Sequence, residues 1–169
     1  MSIPSVFDGI NESQYHSLKE ALPLITILIA GADGKIDEQE LNWAEKLTYI
    51  RSYAEPEELN EFYSEVEDGF DVKIQDALSQ LPAELEEREA AISSKLSALN
   101  GILACLPNNI AYQVYSGFTS FAKHIAKASG GFLRFGSISS KEKPWINLPM
   151  IEPIILQIEE DESLEENQG

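Results

Sequence analysis

Asp33, Asp37 and Glu40 are the residues whose types and spacing first suggest chemistry. Three carboxylates set around an Asp-Gly turn are the oxygen-rich ligands that hard divalent cations take. With Gly34 at the sixth position of an EF-hand loop, Asp33, Asp37 and Glu40 fall at positions 5, 9 and 12. Ile29 and Gly31 then stand at positions 1 and 3, where carboxylates are needed, so an EF-hand proper does not fit. What remains is a weaker divalent-cation site built on Asp33 and Asp37. The same residues also have an architectural use. Asp33 can accept turn hydrogen bonds, Asp37 can cap a helix, and Glu40, three positions on, can close a capping box.

A second candidate is the run GGFLRFG, residues 130–136, which places Phe132, Leu133, Arg134 and Phe135 between glycines. It could dock another protein, with Lys123, Lys127 and Lys141 beside it, or its aromatic residues could plug the interior between the last two helices. His16 and His124 have no histidine at i+4 spacing, so a zinc pair is unsupported. Cys105 is the only cysteine, which precludes an internal disulfide, and its apolar setting GILACLP predicts a buried, inert thiol. There is no G-x-S-x-G, no phosphate-binding P-loop and no glycine-rich dinucleotide turn. Paired carboxylates are too plentiful to single out an acid–base couple, so no enzyme activity is expected. No cofactor is expected either, apart from the divalent cation just considered.

Those residues sit in a chain of 169 residues with a net charge of −17, which argues against nucleic acid or an anionic membrane as the main partner. The charge is uneven. Residues 55–89 carry 13 acids and 2 bases, whereas residues 90–151 carry 6 bases and the single acid Glu142. Either the blocks neutralise one another in space or the second forms a basic patch. The acidic run is ordinarily a solvated helix face, with a cation- or basic-partner surface as its functional use. No apolar run reaches the length of a membrane span and the start lacks a basic region before an apolar core, so a cytoplasmic protein without membrane insertion is expected. A self-matching apolar patch could make a homodimer.

The elements that must position these residues all read as helices. Residues 1–12 form an irregular lead-in. From Ser13, Tyr15, Leu18, Leu22, Ile25 and Ile29 follow helical spacing, and further apolar residues nearly encircle the helix, as in one that others pack around, with Pro23 forcing a kink or a later start. Gly34 turns the chain into a second helix reaching Tyr53. A third begins near Pro56 and stops at Gly69, and a fourth runs from Asp71 to Leu81. A long stripe from Pro82 through Leu85, Glu89, Ile92, Leu96, Leu99, Leu103 and Leu106 predicts a fifth helix of about 25 residues. A sixth extends from Ile110 to Ala128. The last, Ser140 to Gln157, is kinked or broken by Pro149 and Pro153. Residues 159–169 are too acidic to build a core. With no alternating stretch, the expected fold is all-α, one domain over 13–158.

Gly34-Lys35-Ile36-Asp37-Glu38-Gln39-Glu40 has an echo in Gly136-Ser137-Ile138-Ser139-Ser140-Lys141-Glu142, sharing G-x-I-x-x-x-E with a capping box in each. Two such corners suggest an internal duplication with pseudo-twofold symmetry. The segment A-x-A-D-G-x-I-x-x-x-E after an apolar helix, with the later G-G-F-L-x-F-G-x-I-S-x-x-E, resembles the TerB-like domain of the tellurite-resistance superfamily over roughly residues 14–157. The resemblance implies a cytoplasmic bundle of about seven to nine helices, with a stress- or metal-linked role as an interaction or sensor module. The family's acidic positions map to Asp33, Asp37 and Glu40. In the second copy only Glu142 survives, which puts in doubt any function needing acids from both.

Overall fold

The computed structural model describes residues 2–36, 38–54, 56–129 and 144–158, with residues 52–54 and 129 described by backbone alone. Among them the regular structure is entirely helical: α1 (Glu12–Ala30), α2 (Glu38–Ala54), α3 (Asn60–Glu67), α4 (Phe70–Gln80), α5 (Leu85–Ser97), a five-residue α6 (Leu99–Leu103) and α7 (Asn108–Ser129). Single 3-10 turns precede α1 and α3 at Ser5–Phe7 and Glu57–Leu59. The second corner at 136–142 and the segment 159–169 lie outside the described residues.

α1 is the axis of the bundle. Asn11 caps it in a capping box, its side chain accepting from the Gln14 N–H at 2.9 Å while Gln14 returns the bond to the Asn11 N–H at 2.9 Å. Every residue from Ala21 to Ala30 is buried, and α2 to α7 all contact this helix. A helix surrounded in this way has no solvent to satisfy stray polar groups. Thr26 therefore returns its hydroxyl to the Leu22 carbonyl at 2.8 Å, a bond that lets it sit among leucines and isoleucines. Pro23 stays inside α1, without ending it and without a later start.

Three elements differ from the sequence pattern. The long fifth helix divides at Ala98 into α5 and α6, although its stripe does face inward: Ile92, Leu96, Leu99, Leu103 and Leu106 are all buried. The expected last helix is absent over 144–158. Prolines at 149 and 153 remove backbone donors, and the chain instead makes turns, Leu148 N–H to the Trp145 carbonyl and Ile151 N–H to the Leu148 carbonyl, each 2.9 Å, before running on without regular structure. Finally, the lead-in is part of the core. Phe7 is fully buried, its ring centroid 5.1 Å from Tyr15 and 5.4 Å from Phe62, in a cluster completed by Tyr63.

α7 closes the bundle against α1 and α2. Gly117 is buried in it because Tyr63 of α3 comes in against the helix backbone there, and a Cβ would overlap the Tyr63 hydroxyl. Arg51 of α2 lies over the same place, 5.9 Å from the Tyr63 ring and 5.8 Å from the Phe121 ring, donating to Ser120 Oγ at 3.0 Å. Gly101 in α6 has open space where its Cβ would be. Gly117→Ala is therefore expected to destabilise by about 1–3 kcal/mol through overpacking. Gly101→Ala should stabilise by up to about 1 kcal/mol through helix propensity. Urea unfolding of the two variants checks this, and the same sign for both would contradict it.

Candidate functional site

The corner between α1 and α2 is built from its backbone outward. At the end of α1 the Gly31 N–H returns to the Ile27 carbonyl at 2.9 Å, and the Gly34 N–H then reaches the Gly31 carbonyl at 2.9 Å. Gly34 has φ +88°, the left-handed backbone that its lack of a Cβ permits, as the sequence predicts. Asp33 is exposed and its Oδ1 accepts the Lys35 N–H at 3.0 Å, an Asx turn that uses one carboxylate oxygen on the corner itself. Glu40, in the first turn of α2, is only 2% exposed. Asp37 lies outside the described residues, as do Phe132, Leu133, Arg134 and Phe135 of the docking loop. The structure thus places Asp33 at the surface and Glu40 in the interior, a separation that sets their environments apart.

One residue the sequence reading passed over holds this corner. Arg88 on α5 is 91% buried by exposure (9% remaining), and its Nη2 donates to the Gly31 carbonyl at 3.4 Å. A guanidinium there meets the negative end of the α1 dipole and one of its terminal carbonyls. The signal was available as a lone arginine in an acidic run, EEREA, but nothing in the sequence named its target 57 residues away.

A cavity of about 370 Å³ opens between α1, α4 and α5, with Lys19, Lys73 and Lys95 facing Glu20 and Asp76 over a floor that includes Pro23, Leu24 and Leu81. Two of its lysines serve the fold. Lys19 Nζ pairs with Glu65 at 2.7 Å and stands 4.8 Å from the Tyr15 ring centroid. Lys73 Nζ donates to the carbonyls of Glu65, Val66 and Asp68, capping the C-terminal end of α3. Burial pulls the Lys73 ammonium below its usual range, against the raising effect of Asp68. Burial, and then the Glu65 carboxylate that its hydroxyl reaches at 3.2 Å, push Tyr15 well above the phenol range. His16 pairs with Glu20 one turn on, at 3.3 Å. Glu89, part of the inward stripe of α5, is half-buried; burial raises its carboxyl above the usual range, partly offset by its hydrogen bond with Trp145.

Cys105 departs from its expectation. It is exposed, because the helix ends at Leu103 and the turn that follows points Ala104 and Cys105 outward while Leu106 turns in. Its thiol donates to the Gly101 carbonyl at 3.4 Å. Among the described residues no three His, Cys, Asp or Glu side chains converge as a metal ligand set, and no helix is long and apolar enough to cross a membrane.

No family model, no curated protein and no solved structure matches the chain. The corner must therefore be argued from its own contacts. Arg88→Met, which keeps the length of the side chain and removes its donors, should destabilise by about 2 kcal/mol, the range for a hydrogen bond to a charged group. Thermal unfolding beside the wild type measures it, and an unchanged melting temperature would show that Arg88 does not hold the end of α1.

Proposed function

We propose that this chain is a non-enzymatic, cytoplasmic TerB-like domain that acts as an interaction or sensor module in a stress response of the tellurite or metal type. The observation that supports the reading is the α1–α2 corner: the left-handed Gly34, the Asx turn at Asp33 and the buried Glu40 follow an encircled apolar helix, the context from which the family resemblance is drawn. The finer features of the reading, a bundle of seven to nine helices over 13–158 and a duplicated corner at 136–142, belong to the same proposal. A host strain lacking the gene should become sensitive to tellurite or to metal stress and recover with the wild-type gene. Unaltered tolerance across that panel would end the reading.

A second reading assigns a weak divalent cation to Asp33 and Asp37, favoured by the exposure of Asp33 at the turn. Titration calorimetry with Ca²⁺, Mg²⁺, Mn²⁺ and Zn²⁺ should then show binding that Asp33→Asn weakens. Asn keeps the acceptor for the Lys35 N–H while losing the charge, so the fold is spared. Absence of heat at millimolar metal would dismiss the site.

A further inference from the structure

The segment after Leu148 is held to the bundle by two asparagines acting alike. Asn100 Nδ2 donates to the Met150 carbonyl at 3.0 Å, and the Glu152 N–H donates back to Asn100 Oδ1 at 2.8 Å. Asn108 Nδ2 donates to the Ile155 carbonyl at 3.0 Å, and the Gln157 N–H returns to Asn108 Oδ1 at 2.7 Å. Each amide thus grips the carbonyl of one residue and the N–H two residues on, the pair that an extended strand offers along one edge. Between the two clamps lies a cavity of about 270 Å³ lined by Leu103, Leu106, Ala111, Pro153 and Ile154. The clamps read main chain, so they hold the same segment equally well whichever copy of the chain supplies it.

Two further features bear on which copy does so. Leu148 is fully buried yet has φ +47°, the one non-glycine residue with positive φ among the described residues. That conformation costs a leucine about 1–2 kcal/mol. It also precedes Pro149, and a residue before proline favours extended backbone. Relaxing Leu148 to an extended conformation would swing residues 149–158 away from their own bundle, and strained short hinges are what invite exchange between copies. The segment meanwhile leaves Ile155, Leu156 and Ile158 exposed at 81%, 43% and 82%, apolar surface that nothing among the described residues covers.

We propose that the groove at Asn100 and Asn108 is a self-association site, and that two copies of the chain exchange residues 149–158 about a hinge at Leu148–Pro149. Each segment then lies on the partner's asparagine pair with its clamp bonds kept, and the two crossing segments cover each other's exposed isoleucines. The inference is independent of the family resemblance.

The test is refolding of the full chain from urea over a range of protein concentrations, followed by light scattering on the eluted species. A dimer fraction that rises with concentration is expected. Pro149→Ala, an exposed position, removes the preference for the open hinge and should lower the dimer association constant by about tenfold, the equivalent of 1.4 kcal/mol. Asn100→Ala combined with Asn108→Ala removes bonds that monomer and dimer share, so the association constant should stay unchanged while circular dichroism stays helical. In a Cys105→Ser background, chains carrying Ala104→Cys mixed with chains carrying Pro153→Cys should crosslink between copies after refolding together. A wild-type chain that stays monomeric at every concentration overturns the proposal. So does a dimer that fails to crosslink in this way, which would point to ordinary surface association.

Discussion

The encirclement of α1 is the constraint from which most of this structure follows. A helix with neighbours on every side must dispose of each polar group internally, because an unpaired buried group costs about 1–3 kcal/mol. Asn11 and Gln14 close its start, Thr26 turns its hydroxyl onto Leu22, and Arg88 reaches across from α5 to the Gly31 carbonyl at its end. The last of these contacts fixes a neighbour as well as a polar atom. Arg88 sets α5 against the α1–α2 corner, and Lys19, from the exposed start of α1, ties α3 through Glu65.

The electrostatics divide along the same line. With a net charge of −17 the protein still places arginines at two buried positions, Arg51 and Arg88. One lies over two aromatic rings beside Ser120, the other against a helix end. Guanidinium is suited to both settings because it is planar, stacks readily and is weakly hydrated for a cation. Two lysines of the cavity between α1, α4 and α5 are likewise turned to the fold, Lys19 toward Glu65 and Lys73 toward three carbonyls of the α3 end.

Helical periodicity made α1, α2, α3, α4, α5 and α7 legible, since apolar spacing reports burial directly: Leu18, Leu22, Ile25 and Ile29, or Ile92, Leu96 and Leu99, face the core as their spacing requires. What the sequence concealed were contacts between distant positions. Nothing local says that Gly117 is glycine because Tyr63 arrives from α3, or that Asn100, apparently a polar lapse in an apolar stripe, is spent on Met150 and Glu152. Residues 144–158 were expected within a helix kinked or broken at Pro149 and Pro153, and they hold no helix at all. Their buried Ile146, Leu148 and Ile151 are carried by successive turns whose prolines forbid the helical ladder. Cys105 misled for a related reason, as Ile102, Leu103 and Leu106 around it are buried but the turn carries it outward with Ala104. Of the candidate site, Gly34 and the use of Asp33 were legible from turn chemistry, whereas the burial of Glu40 depends on tertiary packing.

The turn joining α6 to α7 receives both ends of the described chain. Gly9 rests against it so closely that a Cβ would come within 2.7 Å of the Cys105 carbonyl, while Asn100 and Asn108 on either side hold Met150 to Gln157. During vectorial synthesis the lead-in waits for this turn to emerge, and the turn in turn waits for residues made some fifty positions later. Until residues 149–158 have been made, the two asparagine amides lack their main-chain partners and the cleft between them has no cover. Closing this corner therefore comes after every helix of the bundle has been synthesised, and it brings in Leu148 and Ile151, which belong to the core.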